Sequence, residues 1–139
     1  MIRATLDTNV LAPGIAGAGS LSNRLFRLWR EGAFVLVISD HILQELERAL
    51  NDSYFAARVP RSTVAEAMRQ LSVYATVIDL TINVCGVATH PEDDLVLSTA
   101  LSGNASVLCT RDKQLLKLGN FDGIDILSPG ELLARIEAG

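Results

Sequence analysis

The sequence is poor in the residues that build disulfide frameworks and zinc sites. Its 139 residues include two cysteines, Cys85 and Cys109, and two histidines. Two cysteines without a second pair fit neither a zinc cluster nor a set of disulfides. We therefore expect both thiols to be reduced and Cys109 to lie in the core. Neither His41 nor His90 has an Asp or Cys partner at a spacing that would indicate a general base, so surface or capping roles are expected.

Long apolar runs are missing as well. No stretch approaches the length of about 18 apolar residues that a membrane-spanning helix needs. The opening MIRATLDT lacks the apolar core of a signal peptide. With four prolines, 49% hydrophobic and 20% charged residues, the composition is that of a globular chain. We expect a single domain over residues 1–139, in the cytoplasm and without a membrane partner.

Positive charge is in deficit. The chain has 12 Lys and Arg against 16 Asp and Glu, a formal net charge of −4. This balance argues against wholesale electrostatic attraction to nucleic acid. A polyanionic substrate would have to be held by locally recruited cations.

What the sequence does contain is an alternation of strand-like and helix-like segments. The strand-like runs are almost continuously apolar, as expected when helices cover both faces of a parallel sheet. They are IRATL at 2–6, FVLVIS at 34–39, ATVIDL at 75–80, SVLCT at 106–110 and IDIL at 124–127. Between them lie segments with helical spacing, and the last, SPGELLARIEA, begins with a capping box of Ser128 and Glu131. The pattern predicts an α/β fold with a mostly parallel sheet of about five strands.

Acidic residues follow two of the predicted strands. Asp7 comes directly after the first strand, and Asp112 lies two residues past the fourth. Ligands of such sheets bind at the carboxyl ends of the strands, so both acids are expected at that edge. In the helix after the second strand, Glu45 and Glu47 lie at opposite rims of the apolar face, and geometry alone does not choose between them.

Two further acids, Asp93 and Asp94, open a later helix. Acids at this position also serve simply to stabilise a helix N-terminus. Several carboxylates at one sheet edge repel one another, however, and no Lys or Arg is interleaved among Asp7, Glu45 and Asp94. A hard divalent cation such as Mg²⁺ or Mn²⁺, which prefers oxygen ligands, would offset this repulsion.

Four segments in this order and spacing resemble the PIN domain, particularly the toxin-like members grouped with VapC ribonucleases. They are LDTNVL, ISDHILQELERAL, PEDDLVLSTAL and LCTRDKQLLKLG, and they span residues 6 to 119. The resemblance implies a three-layer α/β/α sandwich and an acidic quartet that is both catalytic and metal-binding. That quartet would be Asp7, Glu45, Asp94 and Asp112, which favours Glu45 over Glu47 and Asp94 over Asp93. The supporting residues would be Thr8, Asn9, Asp93 and Thr110.

The same resemblance implies an activity. The chain would be a metal-dependent ribonuclease that uses one or two Mg²⁺ or Mn²⁺ ions to hydrolyse single-stranded RNA. Whether Glu45 binds metal or orients the attacking water stays open. The resemblance also implies the toxin of a toxin–antitoxin pair, with a cognate antitoxin and a homodimer or higher oligomer as partners.

RNA would have to be held by basic residues near these acids. Arg24, Arg27 and Arg30 are spaced three apart on the first predicted helix and form a basic stripe, which also suits an ordinary solvated face. Further candidates are Arg58, Arg61, Arg111, Lys113 and Lys117. The glycine-rich GIAGAGS stretch at 14–20 fits neither a Walker A nor a dinucleotide-binding motif, so we expect a loop at the cleft mouth.

Three other functions are compatible with parts of the pattern. A PIN scaffold without catalysis would bind RNA or a protein partner. A haloacid-dehalogenase-like phosphatase also has an Asp after its first strand, but it needs a second Asp where this chain has Asn9. A receiver domain would need a phosphoacceptor after the third strand, and the only candidate, Asp79, lies inside that predicted strand.

Overall fold

The computed structural model describes residues 1–17 and 19–139, in which six strands alternate with eight helices. The strands are β1 Arg3–Leu6, β2 Val35–Ile38, β3 Thr76–Val77, β4 Val107–Cys109, β5 Asn120–Phe121 and β6 Ile124–Leu127. The helices are α1 Thr8–Ala16, α2 Leu21–Arg30, α3 Asp40–Asn51, α4 Ser53–Ala56, α5 Arg61–Tyr74, α6 Pro91–Ser102, α7 Lys113–Leu118 and α8 Pro129–Ala138.

The strands form one sheet in the order β3-β2-β1-β4-β6-β5. All neighbours are parallel except β5 and β6, which form an antiparallel pair at one edge. The sheet therefore has six strands rather than the expected five. The additional strand, β5, is two residues long and too short to leave a periodic signal in the sequence.

Helices cover both faces of the sheet, which confirms the predicted α/β/α sandwich. In β2, Leu36 and Ile38 point into a core shared with α1, α2, α3, α5 and α8, whereas Val37 points into a second core shared with α6 and α7. This alternation explains why the strands are apolar throughout. Cys109 lies in the first core, as predicted, and its burial raises the pKa of the thiol to about 12.

The sequence predicts the last helix of the chain, α8, but not the first, α1. The Ser128 hydroxyl accepts from the N–H of Glu131, whose carboxylate accepts from the N–H of Ser128, so the predicted capping box is confirmed. Helix α1 was not predicted. The segment after Asp7 is helical at once, because the Asp7 carboxylate accepts from the N–H of Thr8 and caps this helix.

The expected glycine-rich loop is also shorter than predicted. Gly14 to Ala16 belong to α1, and only the remainder of the stretch joins α1 to α2, with Ala18 outside the described residues. A Cβ on Gly14 would lie 2.9 Å from the carbonyl oxygen of Ser22, so the glycine allows the two helices to approach closely. No helix in the described part of the chain is both long and apolar enough to span a membrane.

Candidate active site

The carboxyl ends of β1 and β4 bring Asp7 and Thr110 side by side. The register pairs Leu6 with Cys109, so the next residue of each strand emerges at the same sheet edge. The N–H of Asp7 donates to the carbonyl of Cys109 at 2.9 Å, and the Thr110 hydroxyl donates to Oδ2 of Asp7 at 2.9 Å. Both side chains are buried.

Thr110 connects the remaining polar groups of this edge. Its hydroxyl oxygen accepts from the Asn9 amide at 3.3 Å and from the N–H of Asp112 at 3.1 Å. Oδ1 of Asn9 accepts from the N–H of Arg111 at 3.1 Å. Asp112 in turn caps α7, because its Oδ1 accepts from the N–H of Gln114. The network fixes the start of α1 against the turn after β4.

Four carboxylates line one open cleft above this edge. They belong to Asp7, Glu45, Asp93 and Asp112, and the cleft encloses about 640 Å³. Among the described residues, no Lys or Arg lines this cleft. The other lining residues are Thr8, Asn9, Ala12, Pro13, Ala49, Phe55 and His90. These four residues are distant from one another in the sequence, and the sheet topology brings them together because α3, α6 and α7 all begin at the same sheet edge.

Asp94, which the resemblance favoured for the acidic quartet, is not among the residues that line the cleft. Its carboxylate points away from the cleft and accepts from the N–H groups of Gly86, Val87 and Ala88 at 3.0, 3.2 and 2.7 Å. These bonds fix the loop before α6. Asp93, expected only to support the site, occupies the cleft instead.

Negative charge in the cleft is poorly compensated. Burial raises the pKa of Asp7 from its usual 3.8 to about 6, and the nearby charges of Asp93 and Glu45 add to the rise, against the bonds from Thr110 and Thr8. Burial also raises the pKa of Asp93, helped by the charge of Asp112. A cation in the cleft would relieve both effects.

Glu45 lies in the cleft and Glu47 does not. The Glu45 oxygens lie 4.0 Å from Nε2 of His41 and 3.8 Å from Nη2 of Arg48, so its contacts with cationic groups are loose. Glu47 lines a different groove, between α3 and α5. The carboxylate of Glu45 is therefore the one on α3 placed to face the other acids.

The oxygen-rich donor set fits a hard divalent cation held partly through water. Among the described residues, no three His, Cys, Asp or Glu side chains form a ready-made metal cage. Mg²⁺ does not require one, because it usually keeps several waters and binds through one or two carboxylates together with substrate phosphates. Asp7, Asp93 and Asp112 are the residues that would hold such an ion.

The basic residues expected to bind RNA are dispersed. Arg24 pairs with Glu137 at 2.6 Å, and Arg30 lies 5.1 Å from the centre of the Phe26 ring, both on α2 away from the cleft. Arg27 is exposed on the same helix. Arg111 and Lys113 are exposed on either side of Asp112, but neither lines the cleft.

Two cleft residues were not expected from the sequence. His90 precedes α6 and lies at the cleft beside Asp93, although its spacing had suggested only a surface or capping role. Phe55 belongs to α4, a helix of four residues that gives no periodic signal. The sequence indicates neither placement, because both depend on how loops fold over the sheet edge.

Comparison with known proteins identifies the fold independently. A family model described as "PIN domain" matches residues 3–114, which include all four cleft carboxylates. Among curated proteins, no sequence match is found.

Solved structures with the same fold cover nearly the whole chain. PAE2754 from Pyrobaculum aerophilum has a TM-score of 0.66 at 18% identity, over 99% of this chain and 91% of that one. VapBC2 from Rickettsia felis, solved bound to a DNA fragment from its promoter, has a TM-score of 0.62 at 19% identity, over 91% and 98%. VapC20 from Mycobacterium tuberculosis, described as a sarcin-ricin loop cleaving toxin, has a TM-score of 0.57 at 19% identity, over 88% and 98%.

Proposed function

This chain belongs to the PIN domain family, and on that premise we propose that it is a metal-dependent endoribonuclease that hydrolyses single-stranded RNA. The observation that carries the proposal is the cleft in which Asp7, Glu45, Asp93 and Asp112 converge without a lining Lys or Arg. A scaffold that only bound RNA, a polyanion, would gain nothing from concentrating carboxylates where phosphates must approach.

The carboxylates divide into ion-binding and water-orienting groups. Asp7, Asp93 and Asp112 would hold one or two Mg²⁺ or Mn²⁺ ions beside the scissile phosphate. When bound, such an ion lowers the pKa of water toward neutrality and offsets the charge that develops on the phosphate. Glu45, across the cleft on α3, would bind the ion through water or orient the attacking water.

The surrounding network positions these groups. Thr110 holds Oδ2 of Asp7 and the N–H of Asp112 at once, so the two acids keep a fixed separation. Asn9 secures the adjacent turn through the N–H of Arg111. Such pre-positioning reduces the reorganisation that the reaction requires.

RNA cleavage with and without metal tests the proposal. The purified chain is incubated with labelled single-stranded RNA in Mg²⁺, in Mn²⁺ and in excess EDTA. We expect cleavage that needs metal and is lost in Asp7→Asn and Asp93→Asn, while Asp79→Asn, at an exposed position outside the cleft, cleaves as wild type does. Metal-independent cleavage, or full activity in both cleft variants, would refute the assignment.

A small phosphomonoester is a useful second substrate. Its turnover without RNA cleavage would instead favour the phosphatase alternative. Normal folding without either activity would favour a PIN scaffold that binds RNA or protein.

We also propose that the chain is the toxin of a toxin–antitoxin pair. The support is its similarity in fold to VapC20, which is described as a toxin, and to VapBC2, which was solved bound to a DNA fragment from its promoter. Induced expression should then arrest growth, and Asp7→Asn should abolish the arrest. Arrest by the inactive variant would contradict the proposal. A homodimer or larger assembly is expected, and light scattering measures it directly.

A further inference from the structure

An aromatic and basic segment adjoins the acidic cleft and contributes Phe55 to its wall. We call it the α4 ridge and define it as Tyr54, Phe55 and Arg58. Phe55 is half-buried and lines the cleft with the four acids. Tyr54 is 57% exposed, and its ring lies edge-on to that of Phe55, with the ring centres 5.0 Å apart. A large aromatic surface is therefore displayed in solvent next to the acids.

The arginine of the ridge is oriented by the tyrosine rather than by a carboxylate. Its guanidinium carbon lies 3.9 Å from the centre of the Tyr54 ring, and Nη1 donates to the Tyr54 carbonyl at 2.8 Å. Within the part of the chain that the structure describes, no carboxylate lies within ion-pairing distance of Arg58 or of the neighbouring Arg61. The positive charge beside the cleft thus remains available to an anion.

We propose that the α4 ridge is the nucleotide-binding platform of the cleft: an unpaired base stacks on Tyr54 while Arg58 contacts an adjacent phosphate. The inference rests on the proposed ribonuclease function and specifies how its substrate is recognised. It assigns the preference for single-stranded RNA to this segment, not to the α2 arginines.

Charge and geometry both favour RNA as the occupant. The acids of the cleft repel phosphates, so affinity for RNA has to come from contacts outside them. Stacking on an exposed ring supplies such a contact without depending on charge, and it is open only to bases that are not already stacked in a duplex. Arg58 covers one face of the Tyr54 ring, so the base stacks on the opposite face and the guanidinium supplies a cation for the adjacent phosphate.

The Tyr54 side chain makes few of the contacts that would stabilise the fold. Over half of it is in solvent, and no hydrogen bond of its hydroxyl group is found among the described residues. Phe55, by contrast, packs against the core and so serves the fold as well as the cleft. Tyr54 is therefore the residue whose replacement separates RNA binding from folding.

RNA binding in a catalytically disabled background tests the platform. Fluorescence anisotropy is measured with a labelled single-stranded RNA of about ten nucleotides, within the usual range of such sites. The Asp7→Asn protein is compared with Asp7→Asn/Tyr54→Ala, in Mg²⁺. We expect Kd to rise by about fivefold to 160-fold in the double variant, the range seen when a stacking ring is removed. Tyr54→Phe, which keeps the ring, should retain affinity.

Matched controls separate the platform from general surface effects. Tyr74→Ala removes a tyrosine of similar exposure, 69%, that lies on α5 outside the cleft, and should leave Kd unchanged. Arg58→Gln should reduce the dependence of log Kd on log salt by about 0.7, the value for one phosphate contact on a single strand. Arg69→Gln, whose guanidinium pairs with Glu66, should not alter the slope.

A change in the RNA provides the complementary arm. Replacing one nucleotide at a time by an abasic residue should reveal a position at which affinity falls in the Tyr54 protein but not further in Tyr54→Ala. Duplex RNA should bind weakly to both. If Tyr54→Ala lowers the melting temperature, Tyr54→Leu replaces it, since a leucine preserves apolar bulk without a stacking face.

The outcomes distinguish the platform from the ribonuclease function. Equal single-strand affinity with and without the Tyr54 ring, or equal affinity for duplex and single strand, overturns the platform and leaves the ridge as a protein-docking surface. Wild-type cleavage is measured in parallel. Cleavage without a Tyr54 effect refutes the platform alone, whereas a Tyr54 effect on binding without any wild-type cleavage refutes the nuclease.

Discussion

The Thr110 hydroxyl donates to Oδ2 of Asp7 across 103 positions of sequence, and the same oxygen accepts from the N–H of Asp112. One buried hydroxyl thus joins the carboxylate after β1 to the backbone after β4. Removing it would leave the N–H of Asp112 without this acceptor and would leave Asp7 held by the N–H of Thr8 alone.

We therefore expect Thr110→Val to impair both cleavage and folding. The side chain keeps its shape but loses the hydroxyl, so the free energy of unfolding should fall by about 1 to 3 kcal/mol, the cost of stranding buried polar partners. Cleavage should fall by at least tenfold. Urea unfolding and RNA cleavage rates measure the two effects. Thr110→Ser should retain most of both, and equal losses in Ser and Val would point to packing instead.

The raised pKa of Asp7 predicts that ionisation of this carboxyl group destabilises the folded, metal-free protein. Because the folded-state pKa of about 6 exceeds the unfolded value of 3.8, ionisation favours the unfolded chain. The penalty is absent below about pH 4, grows up to about pH 6 and reaches about 3 kcal/mol above that.

Asp7→Asn should accordingly stabilise the metal-free protein only at neutral pH. Urea unfolding in EDTA should show a gain of about 1 to 3 kcal/mol near pH 7.5 and almost none near pH 4. A gain of equal size at both pH values would mean that the charge of Asp7 is not its source.

Replacing Asp93 and Asp94 one at a time by asparagine should have different effects on cleavage and on stability. Asp93→Asn should fold normally and lose cleavage, because the side chain lines the cleft. Asp94→Asn should unfold more easily, by about 1 to 3 kcal/mol, because one amide oxygen replaces two carboxylate oxygens that accept three N–H groups. Melting temperatures and cleavage rates of the two variants distinguish these roles. Loss of cleavage in Asp94→Asn, with loss of stability in Asp93→Asn, would instead assign Asp94 to the active site.

Metal should stabilise the protein through the same carboxylates. At 100 times its Kd, an ion that binds only the folded state adds about 2.7 kcal/mol. We expect Mg²⁺ or Mn²⁺ to raise the melting temperature at neutral pH, with much less effect near pH 5, where Asp7 is largely protonated. Asp112→Asn should weaken the response, and Asp79→Asn should not. A shift that survives all cleft substitutions would place the ion elsewhere.

The sequence predicts the fold well because apolar continuity marks the central strands. It misses β5, α4 and α7, which have two, four and six residues and are too short for a periodic signal. It also misses α1, whose Pro13 and Gly14 are typical of a loop. This helix is stabilised by packing of Val10, Leu11 and Ala12 in the core rather than by its own propensity.

For the site, strand ends are more informative than helix starts. Asp7 and Asp112 follow directly from the parallel sheet, whereas the choice between Asp93 and Asp94 needs the helical stripes of α6. Asp93 lies on the same helical stripe as Val96, Leu97 and Ala100, which faces the sheet. Because it is in the first turn of α6, its side chain reaches the cleft at the sheet edge. Asp94 shares its stripe with Ser98, which faces the preceding loop through the N–H of Val84.

The pairing of β1 with β4 also sets when, during translation, the acidic cleft can first form. Asp7 leaves the ribosome early, but its neighbours in the sheet edge are made about a hundred residues later. A nascent chain that still lacks β4 has neither Thr110 nor Asp112 and cannot close the cleft. Under the proposed ribonuclease function, RNA near the ribosome is therefore safe from the nascent chain until β4 and the turn after it have been made.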